Sequence, residues 1–323
     1  DILTKQQSFE NTVFILPSQR AGVIVKKELK AQISVGFLPE IINIETFISQ
    51  VSGIQKAATI PLLFHFYTCY KKCTPNPEKF DVFTSWASTA LQDFNEIDQH
   101  LVDATTIFNY LKDIQRIKEW DLKTPIENTA LMKSHFSFMG KLGDYYQEFY
   151  SFLLAKKWGY QGLMYREATK NIVSFCEKNS HKNYIFLGFN ALNKAEEFIF
   201  KTMLSFEKTA IYWDIDTAFL KNNHQAGHFI KKYKSTWNYY QKNKLKTISS
   251  HFKNDKNIQI IGASKNITQI KYVGEVLENL TDFNNTALVL ADETLLPVTL
   301  NSLPKKVDAI NITMGYPLKN IPA

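Results

Sequence analysis

The chain reads as an α/β protein in which a parallel-sheet domain is interrupted by an all-helical insertion and followed by the start of a second α/β domain. Three observations predict this. Near the N-terminus, short branched apolar runs alternate with helical patterns, the mark of strands joined by helical crossovers in a parallel sheet. From about Thr59 to Glu177 the β signal vanishes, and Phe, Tyr, Trp and Leu recur at helical spacing. Beyond it the strand–helix alternation resumes and continues to the end of the chain.

The elements follow in order. Thr12 to Leu16 is short, β-branched and stopped by Pro17, so it predicts a buried strand. Ser18 can cap the next helix, whose apolar positions include Val23, Ile24 and Leu29. A second strand is expected at Glu40 to Ile44, then a short helix through Phe47 and Val51 that stops at Gly53. The insertion predicts helices near 59–73, 80–101, 105–118, 130–157 and 160–178, with Pro75, Pro77 and Pro125 between them. Leu142, Tyr145, Tyr146, Phe149 and Phe152 repeat every three or four residues and read as a core stripe. Strands at Tyr184–Leu187 and Thr209–Trp213 flank a helix at Asn193–Phe206. The last unit predicts strands at Ile258–Ile261, Thr286–Leu290 and around Ala309–Ile312, with helices at Thr268–Leu280 and Glu293–Leu300. The expected domains are therefore 1–57 with 180–250, the insertion 58–179, and an incomplete second α/β domain over 256–323.

Composition narrows the function classes. The 323 residues are 45% hydrophobic and 21% charged, ordinary for a globular chain with a sizeable core. No apolar run reaches the roughly 20 residues of a membrane span, and Asp1 to Glu10 has no signal-peptide core. Without an initial Met, further residues are expected before Asp1. Three cysteines, Cys69, Cys73 and Cys176, are too few for a disulfide framework and point to a reducing cytoplasm. Cys69 and Cys73 could share a metal, but without further ligands at finger-like spacing core packing is the favoured reading. The net charge of +7 is concentrated between Lys221 and Lys256, where nine lysines face one acidic residue, Asp255. Lys231, Lys232 and Lys234 lie there with Tyr233, Trp237, Tyr239 and Tyr240. Such a stretch can hold a phosphate backbone with stacked bases, or be a solvated helix whose rings face the core.

Several runs then carry a resemblance: Phe14-Ile-Leu-Pro-Ser-Gln-Arg-Ala-Gly22, Ile44-Glu-Thr-Phe-Ile48, Tyr184-Ile-Phe-Leu-Gly-Phe-Asn190 followed by Ala195-Glu-Glu, Ala210-Ile-Tyr-Trp-Asp214, Asn285-Thr-Ala-Leu-Val-Leu290 and Ile312-Thr-Met-Gly-Tyr-Pro-Leu-Lys319. In this order they resemble motifs Ia, Ib, II and III and the second-domain strands of the superfamily 1 helicase-like N-terminal region of AddB/RexB-type helicase-nuclease subunits, PD-(D/E)XK nuclease family proteins. The resemblance implies RecA-like (P-loop NTPase-like) domains and a role in DNA double-strand-break repair and recombination. Its implied partners are DNA, as a single strand or a duplex end, and an AddA-type helicase-nuclease subunit, with no membrane. It also implies Mg²⁺ and exodeoxyribonuclease activity in a nuclease domain further along the full protein, with no cofactor in this stretch.

The departures matter as much. No Gly-x-x-x-x-Gly-Lys-Ser/Thr loop occurs, and the motif II position holds Gly188-Phe189 in place of carboxylates, so neither nucleotide phosphates nor Mg²⁺ have their usual ligands. Asp121-Leu-Lys123 matches the end of a nuclease motif but falls in the helical insertion without a partner strand. ATP hydrolysis and catalysis are therefore not expected of this stretch. Two rival readings stand beside it: a motor whose phosphate loop lies upstream of Asp1, and a protein-interaction scaffold.

Ser18, Gln19 and Arg20 open a helix after a strand, where free amides and the helix dipole suit a phosphate. By resemblance this turn contacts single-stranded DNA, and Thr46 does the same; each could instead only cap its helix. Lys231, Lys232, Lys234 and Trp237 are the candidates for a general backbone-binding surface. His224-Gln-Ala-Gly-His228 resembles a zinc-protease helix but has Gln225 where the general base should be. Asp214 and Asp216 offer two carboxylates at a strand end, for which a loop-capping role is favoured over a metal.

Overall fold

A computed structural model describes residues 9–32, 38–110, 130–221, 224–245 and 249–315, with backbone alone at 130–137 and 139. In chain order the elements of the first unit are β1 (Thr12–Leu16), α1 (Gln19–Gln32), β2 (Glu40–Asn43), α2 (Ile44–Ser52), β3 (Gln55–Lys56), α3 (Thr59–Cys73), α4 (Phe80–Gln99), α5 (Ala130–Lys156), β4 (Trp158–Gly159), α6 (Gln161–Lys178), β5 (Asn183–Leu187), α7 (Lys194–Met203), β6 (Thr209–Tyr212), α8 (Thr217–Lys221), α9 (His228–Thr236) and α10 (Tyr239–Lys242). A short helical segment over 104–110 lies where the 105–118 helix is expected; the remainder of that expectation, and Asp121-Leu-Lys123, lie outside the described residues.

The protein is α/β with a mostly parallel sheet. Four strands run in the order β2-β1-β5-β6, all parallel, with Val13 beside Glu40 and Tyr184 beside Thr209. Every residue of β1 is buried, as expected for an interior strand covered on both faces. Alternation along it sends Phe14 to one face, with Leu29 of α1 and Ile185, and sends Val13 and Ile15 to the other, with α2, α6 and α7. The connection from β1 through α1 steps one way along the sheet, while that from β5 through α7 steps the other. Right-handed crossovers then require α1 and α7 to sit on opposite faces. The strand order reverses between β1 and β5, where a Cβ added to Gly188 would stand 4.0 Å from Pro17 Cδ. Gly188 has φ +73°, a left-handed conformation that suits glycine.

The helical segment packs around aromatic rings and shares one continuous core with the sheet. Phe66 contacts the rings of Phe83, Phe94 and Phe149 at 5.0–5.6 Å between centroids. Tyr145, Tyr146 and Phe149 of the α5 stripe are buried; Leu142 and Phe152 pack against them half-buried. Helix α6 joins this core to the sheet by packing on α2, α4 and α7. At its centre Asp98 is fully buried and accepts from Tyr146 (2.5 Å), Tyr160 (2.6 Å) and Arg166 Nε (2.5 Å). Burial pushes this carboxyl up, against the pull of the two hydroxyls and the guanidinium. The pairing Gln55↔Trp158 and Lys56↔Gly159 ties the chain after α2 to the end of α5.

Residues 1–253 form one compact unit and 254–323 a second. The second contains α11 (Asn266–Glu278) and α12 (Leu296–Asn301), close to the expected helices. Its three expected strands are corrected: Ile258–Ile261, Thr286–Leu290 and Ala309–Ile312 form no ladder among the described residues. Their apolar side chains lie open, Ile260 at 95% and Val289 at 85% exposure. A β-branched run becomes a strand only where a neighbour completes its hydrogen bonds and covers its face.

Candidate nucleic-acid interface

The turn after β1 and the start of α2 meet in one cleft. It is lined by Ser18, Gln19, Gly22, Val23 and Lys26 from the α1 side, by residues 38, 39 and 41–43 around β2, and by Thr46. Ile41, on the α1 face of β2, gives it an apolar floor, while Ile42 alternates to the opposite face. Close packing of α1 on β2 builds that floor: a Cβ on Gly22 would stand 3.4 Å from Ile41 Cγ2. Ser18 Oγ accepts the N–H of Ala21 at 3.2 Å, so Ser18 caps α1. The cap of α2 is Asn43, whose Oδ1 accepts Thr46 N–H at 2.8 Å. Thr46 is therefore not its own helix's cap; it is exposed and lines the cleft. Arg20 is exposed but does not line it.

Sequence reasoning missed Lys26 and Asn43. Lys26 follows Gln19 by seven residues and Gly22 by four, which puts all three on one face of α1. Asn43 directly precedes the Ile-Glu-Thr run, the position of an N-cap. The arrangement offers hydroxyl, amide and ammonium donors around an apolar floor. It suits an anionic strand whose phosphates meet the rim while a sugar or base covers the floor.

The lysine-rich stretch divides by helical face. Ile230, Tyr233 and Trp237 are at most 2% exposed and point into the core. Tyr233 stacks on Trp213 at 5.3 Å, and Trp237 Nε1 donates to Glu197 at 3.2 Å. The stacking role expected for Trp237 is corrected accordingly, because a ring buried on both sides offers no face to a base. On the outer face, Lys231 and Lys232 line a second cleft with His224, Gln225, His228 and Ser235. Lys234 is exposed beside it.

At the other strand ends, β5 leads into Gly188 and Phe189, and Phe189 is buried against Phe186 and Phe200. Past β6, Asp216 accepts from Ala218 N at 2.9 Å, Phe252 N at 3.0 Å and Ser249 Oγ at 3.3 Å. These bonds hold its carboxyl below the usual range and give it the loop-capping role. Cys69 is fully buried in the helical core, and burial pushes its thiol up to about 12. Among the described residues no three His, Cys, Asp or Glu side chains gather as metal ligands, and no helix is long and apolar enough to cross a membrane.

Fold and cleft together define an α/β protein with a mostly parallel sheet, a fused helical layer and a polar-rimmed groove beside an edge strand. No protein-family model matches the chain, and no curated protein matches it.

Proposed function

We propose that this chain is the DNA-binding, non-catalytic, helicase-like region of an AddB-type nuclease subunit, built on a RecA-like sheet and acting in double-strand-break repair beside an AddA-type partner. The observation that carries the reading is the cleft. Two stretches resembling strand-contacting motifs, one around Ser18 and one around Thr46, share a single groove although 27 residues separate them. Strand order adds support, because the strands that lead into or carry the runs resembling motifs Ib, Ia, II and III lie side by side as β2, β1, β5 and β6, with the Ib run itself opening α2 just after β2. The position resembling motif II ends in Gly188 and Phe189, whose side chains carry no oxygen for Mg²⁺. What remains is grip on a strand, with the chemistry assigned to a nuclease domain elsewhere in the full protein.

Fluorescence anisotropy with a labelled single-stranded oligonucleotide tests this. The chain should bind it with an affinity that falls as salt rises. Lys26→Glu with Thr46→Glu should weaken binding by roughly tenfold or more, since two carboxylates would then face the phosphates. Unchanged affinity in that variant would remove the cleft from the interface. No binding by the unaltered chain would favour the protein-scaffold reading.

A further inference from the structure

We infer that Trp158, with His65 and Phe152 behind it and Lys72, Lys156 and Lys157 around it, is a stacking platform for an unpaired base of a single strand. The inference rests on the DNA-binding reading for the nature of the ligand. It adds a second contact, on the helical segment rather than in the cleft.

Two helices and a short ladder build the platform. His65 and Lys72 are seven residues apart and share one face of α3; Phe152 and Lys156 are four apart and share one face of α5. The two faces meet, for the His65 ring lies 5.3 Å from Phe152 and 5.7 Å from Trp158 between centroids. Trp158 is the most open of the three rings at 40% exposure, while the other two are half-buried. Backbone bonds hold its position: Gln55 N–H donates to Lys157 O and Ala57 N–H to Gly159 O, both at 2.9 Å. A ring backed and anchored in this way loses little freedom when a base covers it.

The charge around the rings suits a polyanion. Lys156 Nζ lies 5.1 Å from the Phe152 ring centroid and Lys72 Nζ 5.9 Å, cation–π contacts that hold both ammoniums beside the rings. Lys72 also pairs with Glu148 at 2.8 Å, and Lys56 of β3 pairs with Glu45 at 2.5 Å. Neither α3 nor β3 carries a carboxylate, and α5 carries none after Glu148, so the surplus charge is positive. Lys157 has φ +55°, the left-handed conformation that a helix end ordinarily gives to glycine. Here that position carries an exposed lysine directly before Trp158. Burial and the Lys156 ammonium hold His65 below the ordinary histidine range, so at neutral pH its ring is an uncharged aromatic neighbour. In the lysine-rich stretch Tyr233 and Trp237 are closed to a base; Trp158 supplies the open ring that they do not. A duplex keeps its bases stacked on one another, so such a platform selects single strands.

Anisotropy with the whole chain compares a labelled oligothymidylate, an abasic strand of equal length and a duplex. The unaltered chain should bind the oligothymidylate roughly tenfold more tightly than the abasic strand, the effect of about one stacked base. Trp158→Leu should remove most of that preference and leave affinity for the abasic strand and the duplex nearly unchanged, while Trp158→Phe should retain much of it. Lys156→Gln with Lys157→Gly should weaken both single strands alike and reduce the salt slope by roughly 1.4. Glycine relieves the left-handed backbone at position 157, so this variant should keep or raise Tm, and its loss of binding is then not a loss of fold. The Lys26→Glu, Thr46→Glu variant should bind more weakly yet keep its preference for bases, which separates a failure of this platform from a failure of the cleft. A full preference in Trp158→Leu, an equal loss on the duplex, or equal affinity of the unaltered chain for both single strands would overturn the inference. So would displacement by poly-glutamate and not by unlabelled oligothymidylate, which would assign the face to an acidic protein segment.

Discussion

Gly162 shows how closely single residues are constrained. Its N–H donates to Asn95 Oδ1 at 2.7 Å, and a Cβ there would stand 2.3 Å from the Asn95 carbonyl oxygen. The first turn of α6 can approach α4 only because that side chain is missing. Gly162→Ala should therefore destabilise the first unit by about 1–3 kcal/mol, the usual cost of overpacking against backbone that cannot yield. Urea unfolding followed by tryptophan fluorescence reads this directly, and an unchanged midpoint would show that the helices separate freely. Residue identity was legible at Ser18, where a small hydroxyl after Pro17 marked a cap that the structure retains. It was less legible at Thr46, because Asn43 and Thr46 are both competent caps in sequence and only backbone geometry selects between them.

At the scale of elements, helices were more legible than strands. The expected 59–73 helix coincides with α3, and the expected strand Thr12–Leu16 coincides with β1. Helical hydrogen bonds close within a segment, so periodicity and breakers locate them. Strands depend on distant partners, and the runs at 258–261, 286–290 and 309–312 have β-branched composition without a ladder. Pairing between helices is equally non-local. Arg166 of α6 meets Asp98 at the end of α4 and also donates to the Ile97 and Val102 carbonyls at 2.9 and 2.6 Å. Nothing in the spacing of these residues announces that contact. Arg166→Ala should cost about 3–5 kcal/mol, because it leaves a buried carboxylate without its counter-charge. Adding Asp98→Asn should recover part of the loss, and a thermal-melt double-mutant cycle would expose additive behaviour if the pair were not coupled.

For the whole molecule, the large buried aromatic and thiol content sets the response to alkaline pH. Burial raises Cys69 from 9.0 to about 12 and Cys176 to about 11. It also raises Tyr184 and Tyr240 from 10.0 to about 12. In each case the folded state favours the neutral, protonated form. The sign follows: this contribution is complete below the unfolded values near 9 and 10 and is lost as pH climbs toward 11 or 12. Tm should therefore hold near pH 8 and fall steadily above pH 9. Cys69 and Cys176 should also resist alkylation at pH 8 until the chain unfolds. A flat Tm profile up to pH 11 would contradict this assignment.

The sequence by itself determined the α/β class, the positions of most helices in the first unit, and the lysine excess between Lys221 and Lys256. All of these rest on local periodicity or on counting. Tertiary structure decided the rest. It joined the helical segment and the sheet in one core through α6, and it brought Ser18, Lys26, Asn43 and Thr46 into one cleft. It also turned Tyr233 and Trp237 inward while His224, His228, Lys231 and Lys232 came to line one outer groove. The physical reason is shared by all three: which face of an element meets water is set by what packs on its other face, and that partner is distant in sequence.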